Sequence, residues 1–271
     1  MSYSMEDTVD LRDVAGDADV SWALGPSWVR EAELRELEDL GALVPGAWRV
    51  PLAHEGVPAP KPEETVVFLA YFEAGLRLPC VELVRDILAL YSMELPMLTP
   101  GAVVHLSAFE WLLRMNDASG TGRSFAALHN AMYCPELRKV CYSGGEVGEA
   151  HLMYGCVAFA PKTAEAFPAT AGPGDWGEWT RGWFYCAVPE GLRSGGGRVV
   201  LRSDPVPAPG PAEVGALLLA ALSAKRQGVR ELVEEFLMLG IAPLGQDWTP
   251  LVGEVVDGIR LVASSASLGT C

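Results

Sequence analysis

The sequence has little positive charge. It contains 20 Lys and Arg against 35 Asp and Glu, for a net charge of −15, and residues 1–60 alone hold twelve acids and four bases. An acidic surface repels a phosphate backbone and gains nothing from counterion release, so direct nucleic-acid binding is disfavoured. The acidic balance is typical of a solvated surface, and it is compatible with a protein partner or with self-association.

Long apolar runs are also missing. The longest, Val214 to Leu222, is about half of the ~20 residues that a membrane-spanning helix needs. The first twenty residues contain six acids and one Arg, with no apolar stretch after a basic start, so no secretory signal is predicted. We therefore expect an intracellular protein, cytoplasmic or nuclear, that does not associate with membranes.

The cysteines are scattered and not clustered. In a reducing compartment they are predicted to be small, buried, apolar side chains. Half of the 271 residues are apolar, and a chain of this length can bury enough surface to fold without disulfides or metals. The six cysteines are Cys80, Cys134, Cys141, Cys156, Cys186 and Cys271.

Motifs for catalysis are absent as well. The run Ser194 to Gly197 lacks the Gly-Lys-Ser/Thr ending of a phosphate-binding loop, and no Gly-x-Ser-x-Gly elbow of a serine hydrolase is present. The segment Asp117 to Gly120 has one residue too many for the Asp-Ser/Thr-Gly motif of aspartic proteases, which favours a loop. A Cys–His nucleophile would need one of four histidines, and none is assigned that role. They are His54, His105, His129 and His151.

One set of residues has the composition of a zinc site. Two Cys and two His are an accepted ligand set, but structural zinc sites usually contain a tight pair such as Cys-x2-Cys, and this set has none. Its members are His129, Cys134, Cys141 and His151. We therefore predict no metal, no cofactor and no catalytic residue. Carboxylates of a metal-dependent DNA-processing enzyme can be far apart in sequence, so that alternative stays open.

The N-terminal part is predicted to be a tail, a helix and a connector. Residues 1–26 are acidic and aperiodic, which indicates a flexible tail. Ser27 is a candidate N-cap for an amphipathic helix over about 28–40, with Gly41 as its end. The five prolines within 45–62 exclude a helix and favour an extended connector.

The pattern of the central block predicts a series of helices. Thr65 to Ala74 is apolar nearly all round, which predicts a buried helix that ends at Gly75. Apolar residues from Val81 to Tyr91 fall on one helical face. Thr99-Pro100 is typical of a helix start, because Thr can cap free N–H groups and Pro fits the first turn. A further helix is predicted over Phe125 to Met132.

After the central block, glycine, valine and aromatic residues favour strands at about 152–159, 183–188 and 198–203. Four prolines within 204–211 indicate a linker, and helical patterns follow in 212–271. The sequence thus predicts a mixed α+β fold that is predominantly helical. Its globular domain is predicted to span 27–203, helical over 27–133 and β-containing over 134–203.

Several motifs resemble one protein family. Four motifs follow each other in the order seen in the plant family of gypsy-type transposon domains, also called a transposase domain. They are Val66 to Pro79 (VVFLAYFEAGLRLP), Leu90 to Leu95, Leu98-Thr99-Pro100, and Trp179 to Tyr185. The similarity extends over about 34–250. The sequence departs from the family pattern after Phe109, where Glu110 to Asn116 replaces a Cys-Glu-containing stretch.

The resemblance implies a retrotransposon-derived, Gag-like interaction or assembly domain. The motifs themselves are suited to packing and turning a core, since they consist of Trp, Phe, Tyr, Gly and Pro and present no nucleophile or proton shuttle. Two alternatives stay open: a transposase-like, metal-dependent DNA-processing enzyme and an accessory domain that binds nucleic acid. The label "transposase" has no catalytic motif behind it in this sequence.

Overall fold

A computed structural model describes residues 8–10, 22–78, 80, 82–115, 119–141, 147–162 and 176–188. These residues form a mixed α+β fold in which helical residues outnumber strand residues, as predicted. The helices are Glu31–Asp39 (α1), Leu69–Glu73 (α2), Glu82–Tyr91 (α3), Pro100–Met115 (α4) and Gly122–Leu128 (α5). The strands are Thr8–Asp10 (β1), Trp48–Arg49 (β2), Glu64–Phe68 (β3), His129–Tyr133 (β4), Glu136–Cys141 (β5), Val147–Leu152 (β6), Val157–Pro161 (β7) and Trp183–Ala187 (β8).

The strands make small sheets. One has the order β2-β8-β3, with β8 antiparallel to both neighbours, and a second has the order β1-β5-β6. The third is an antiparallel ribbon of β4 and β7. Because β8 pairs with β2 and β3, the predicted helical and β-containing parts share one sheet and one hydrophobic core.

The predicted helix over Thr65 to Ala74 is half wrong. Glu64–Phe68 is strand β3, and the helix α2 begins only at Leu69. Every residue of β3 is buried, so its side chains show no polar–apolar alternation that would mark a strand. A uniformly apolar run is compatible with a buried strand or a buried helix, and the β-branched Thr65, Val66 and Val67 favour the strand.

The helices after Gly75 follow the sequence pattern. Helix α3 buries the predicted face at Val84, Ile87, Leu88 and Tyr91. Helix α4 begins at Pro100, and the side chain of Thr99 accepts a hydrogen bond from the amide of Ala102 at 3.0 Å. These two helix predictions are confirmed. The apolar side chains of Leu106, Phe109 and Leu113 on α4 are buried.

Three element boundaries differ from the prediction. Helix α1 begins at Glu31 with Arg30 at the cap, whereas Ser27 accepts a hydrogen bond from Val29 and donates one to the carbonyl of Trp183. The predicted helix over 125–132 ends at Leu128, where strand β4 begins. The strand predicted over 152–159 is interrupted by a turn at Tyr154 and Gly155.

The predicted chain divisions are described only in part. Within the segment predicted as a tail, Thr8–Asp10 pairs with β5, and Ala23 and Leu24 are buried. The strand predicted over 183–188 is confirmed as β8. The strand predicted over 198–203, the linker 204–211 and the C-terminal segment 212–271 lie outside the described residues. In the described part of the chain, no helix is long and apolar enough to cross a membrane.

Candidate interaction surface

Two of the family-like motifs pair with each other. In the antiparallel register, Val66, Val67 and Phe68 on β3 lie directly opposite Tyr185, Phe184 and Trp183 on β8. All six side chains are buried. The aromatic signature of the sequence therefore builds the centre of the core, in agreement with the packing role inferred from its composition.

A polar network joins the proline-rich connector to this sheet. The guanidinium of Arg49 contacts Glu64 through two nitrogens, with the shortest distance at 2.8 Å, and its carbon lies 3.6 Å from the centre of the Tyr185 ring. The Tyr185 hydroxyl donates to Glu55 and accepts from the amide of Ala59 at 2.6 Å. We call these residues the connector clasp. It fixes residues 55–61 against β8.

The ionisation of the clasp fits a structural role. Burial of Glu64 favours its neutral form, but hydrogen bonds from Arg49 and from the Lys61 amide outweigh that effect and place the pKa of Glu64 below its ordinary value. Burial, followed by the hydrogen bond to Glu55, raises the pKa of Tyr185. Glu64 is thus held as a carboxylate and Tyr185 as a neutral phenol, each already engaged by neighbours and neither poised to transfer a proton.

The four zinc candidates are spread over three strands. His129 is buried at the start of β4, Cys134 is exposed just after it, and His151 is exposed on β6. His129 and Cys134 are five residue steps apart along extended backbone, or about 16 Å at ~3.3 Å per step. Cys141 ends β5. Within the described ranges, no group of three or more His, Cys, Asp and Glu side chains could hold a metal ion.

Of the other sequence candidates, one histidine lies apart and one lies beside His129. His54 lies exposed in the connector, whereas His105 lies on α4 with its ring centre 5.3 Å from that of His129. Of the loop Asp117 to Gly120, only Ser119 and Gly120 are described, and the run Ser194 to Gly197 lies outside the described residues. The described candidates do not converge on one reactive centre.

One surface stands out because it is apolar and exposed. Strand β4 begins with buried His129, but its next four residues are exposed. Met132 is 45% exposed and Tyr133 is 50% exposed. We call Asn130 to Tyr133 the β4 edge.

The ribbon's inner strand explains why β4 lies outside. On β7, Val157 and Phe159 are buried, and the Phe159 ring packs at 4.8 Å from the ring of Phe125. Strand β7 therefore contacts the core, and β4 is held to the molecule by its pairing with β7. The described residues contain no other strand that pairs with β4.

The direction of the β4 backbone follows from the two ends of the ladder. The Leu128 carbonyl accepts the Lys162 amide at 2.8 Å, and the Cys134 amide donates to the Cys156 carbonyl at 2.8 Å. The backbone groups of successive residues point to opposite sides of a strand. The N–H and C=O groups of Asn130 and Met132, like those of Leu128 and Cys134, are therefore directed toward β7. The N–H and C=O groups of Ala131 and Tyr133 are then directed away from it.

The β4 edge carries no charge although the chain is strongly acidic. Natural proteins commonly block an exposed strand edge with charged side chains or proline, and Asn130 to Tyr133 has neither. Sequence reasoning missed this surface because it placed the segment in a helix. One available signal was Pro135, which restricts Cys134 to extended backbone.

Comparison with known proteins agrees with the motif analysis. Residues 66–117 match a family model described as "Putative gypsy type transposon". The chain carries this family's motif. The resemblance seen in the sequence is thereby confirmed over β3, α2, α3 and α4, and it supports a transposon-derived origin. No curated protein and no solved structure matches the chain.

The match also relates to the fold. It begins at Val66, inside β3, and contains the buried faces of α3 and α4. Strand β8 lies outside the match, yet it pairs with β3 and places Trp183 to Tyr185 opposite Val66 to Phe68. The matched segment therefore shares its core with chain that the family model does not cover.

Proposed function

We propose that this protein is a non-catalytic, Gag-like interaction domain of retrotransposon origin, and that it assembles through its β4 edge. The observation that carries the proposal is the β4 edge itself, which has four consecutive exposed residues, including Met132 and Tyr133. Strand β4 pairs with β7 on one side, and no strand among the described residues pairs with its other side.

Strand addition is the association mode that this geometry favours. The outward N–H and C=O groups of Ala131 and Tyr133 can pair with a strand of another molecule, while exposed side chains add apolar contact. In an antiparallel pairing of two copies, the same segment serves both sides, which is the usual symmetry of a homodimer.

Charge favours this place for contact between copies. Each copy carries a net charge of −15, so most of its surface repels a second copy. The β4 edge contributes no charge to that repulsion. We therefore commit to a second copy of this chain as the occupant, and we expect association to strengthen as salt screens the remaining acidic surface.

Sedimentation equilibrium of the full chain over a wide concentration range tests the proposal. We expect a reversible monomer–dimer equilibrium, which Met132→Lys weakens at least tenfold. Leu52→Lys is the matched control, because Leu52 is also apolar and exposed, at 62%, and lies in the connector. A strict monomer at the highest concentration, or equal effects of the two lysines, contradicts the proposal.

A further inference from the structure

Two cysteines face each other at the end of the β4–β7 ladder. Tyr133 pairs with Val157, and on the next rung the Cys134 amide donates to the Cys156 carbonyl at 2.8 Å. Residues directly opposite each other in an antiparallel ladder place their side chains on the same face. Backbone pairing thus brings two thiols together that are far apart in the sequence.

The spacing of this rung suits a covalent bond between the two sulfurs. In a hydrogen-bonded antiparallel pair, the Cα atoms are about 5.5 Å apart. Disulfides most often join Cα atoms at about 5.5–6 Å. The Cys134 thiol now points to the Met132 carbonyl, with the sulfur 3.8 Å from the oxygen. Directly opposite Cβ atoms lie about 4.5–5.5 Å apart in such a ladder, and a disulfide joins Cβ atoms at about 3.5–4.5 Å. The bond therefore needs rotation of the Cys134 side chain and a small local approach of the two strand ends.

The two thiols differ in exposure. Cys134 is exposed, whereas Cys156 is completely buried. Burial raises the pKa of the Cys156 thiol to about 12, so it is almost entirely protonated at neutral pH and reacts slowly until an oxidised Cys134 sulfur lies next to it. A soluble oxidant reaches Cys134 first.

From this arrangement we propose that Cys134 and Cys156 form a reversible dithiol–disulfide site, in which a peroxide oxidises Cys134 and Cys156 resolves the product. This goes beyond the proposed function and does not depend on it. In a reducing compartment such a bond is transient, which suits a sensing role better than a permanent structural one.

The reaction balances with hydrogen peroxide as the oxidant. The Cys134 thiolate attacks one peroxide oxygen, so that an S–O bond forms, the O–O bond breaks, and the leaving hydroxide takes up the released thiol proton as water. The Cys156 sulfur then attacks the Cys134 sulfur. An S–S bond forms, the S–O bond breaks, and the second hydroxide leaves as water with the Cys156 proton. The peroxide is reduced while the two thiols are oxidised.

The bond would affect a defined part of the fold. Strands β5 and β6 lie between the two cysteines in the chain, so the disulfide closes a loop that contains both. It also fixes the end of the β4–β7 ladder. Closing a loop restricts the unfolded chain, and we expect the oxidised protein to unfold at a higher temperature than the reduced one.

Peptide mapping of the full chain tests the proposal. The protein is treated with hydrogen peroxide, its remaining thiols are alkylated, and it is digested without reductant. We expect a linked peptide pair that joins Cys134 to Cys156, an intact mass lower by two hydrogen atoms, and full reversal by dithiothreitol. A wild-type protein in which Cys134 reaches the sulfinic acid while Cys156 stays alkylatable overturns the proposal.

Single variants assign the roles. Cys134→Ser should leave Cys156 reduced under the same treatment, and Cys156→Ser should let Cys134 proceed to the sulfenic and sulfinic acids. Cys186→Ser, at another buried cysteine, should leave the link intact. If Cys156→Ser does not fold, the exposed Cys134→Ser still decides, since oxidation of Cys156 in that variant contradicts the assigned order.

Discussion

The central sheet and the β4–β7 ribbon use similar residues in opposite environments. Tyr185 and Cys186 on β8 are fully buried in the sheet, whereas Tyr133 and Cys134 at the end of the ribbon are exposed. Strand β8 has a partner on each side, and β4 has one among the described residues. A Tyr-Cys pair is therefore buried in the core when its strand has partners on both sides, and it is exposed to solvent at the end of a strand with one partner.

This difference separates stability from interaction. Each side of β8 is covered, and the connector clasp occupies the Tyr185 hydroxyl, so substitutions there should act on folding. Substitutions on the β4 edge should act on association and leave folding nearly unchanged.

The largest effect is expected from truncation of the buried aromatic residues. Trp183→Ala removes the largest fully buried side chain and leaves the Gly25 carbonyl without its indole donor, now at 3.0 Å. We expect a loss of about 3–5 kcal/mol in the free energy of unfolding. Tyr133→Ala, the exposed counterpart, should cost less than about 1 kcal/mol. Urea unfolding measures both, and equal losses would refute the comparison.

Acid should destabilise the contact between α4 and the start of β4. Burial lowers the pKa of His105 to about 4. The pKa of His129 is also lowered to about 4, first by burial and then by His105 and Lys162, while its hydrogen bond to the Phe125 carbonyl acts in the opposite direction. Unfolded histidine binds a proton near pH 6.5 and the folded residues do not. The two neutral histidines therefore cost no stability above pH 6.5. As the pH drops toward 4, the free energy of unfolding falls, by about 2 kcal/mol per histidine at pH 5.

Variants of single histidines separate this effect from that of the carboxylates. His105→Gln should reduce the loss between pH 7 and pH 5 in urea unfolding. His151→Gln, at an exposed histidine on β6, should leave the loss unchanged. Identical pH profiles for wild type and His105→Gln would show that the buried pair is not the cause.

A smaller effect is expected at the connector clasp. Arg49→Ala leaves Glu64, whose side chain is only 9% exposed, without its main cation, and we expect a loss of about 2 kcal/mol. Arg35→Ala removes the equivalent partner of exposed Glu31 and should cost less than about 0.5 kcal/mol.

The clasp also has a signed pH dependence. The lowered pKa of Glu64 means that its contribution is present above the ordinary carboxyl pKa and is lost as the pH falls through the folded value. The difference in the free energy of unfolding between Arg49→Ala and wild type should therefore become smaller in acid. A gap that widens with falling pH would exclude Glu64 as the partner that matters.

Much of the helical part of the fold could be predicted from local pattern. Helices α3 and α4 each have an amphipathic stripe, and Thr99-Pro100 marks the start of α4, so neighbours in sequence determine them. Strand β3 depends on β8, more than a hundred residues later, and its uniform burial removes the alternation that reveals a strand. Such a partner is not visible in a local window.

The candidate site was harder to predict for the same reason. The packing role of Trp183 to Tyr185 follows from composition, but the β4 edge exists only because Val157 to Pro161 pairs with it across the intervening β5 and β6. The Cys134–Cys156 rung likewise depends on register. A one-residue shift of the ladder would separate the two thiols, and sequence spacing does not specify that register.

The finest test uses proline at adjacent positions of β4. Ala131 directs its amide away from β7, so Ala131→Pro removes a donor only from the outer edge, where proline is tolerated in strands. Met132 directs its amide toward β7. Met132→Pro therefore removes a donor from the inner side of β4 and leaves a carbonyl of β7 without its hydrogen bond. We expect both to weaken self-association, and Met132→Pro to lower the free energy of unfolding by about 1–2 kcal/mol more than Ala131→Pro. Equal losses of stability would mean that the two amides are not directed as the ladder implies, and unchanged association in both would exclude β4 as the contact.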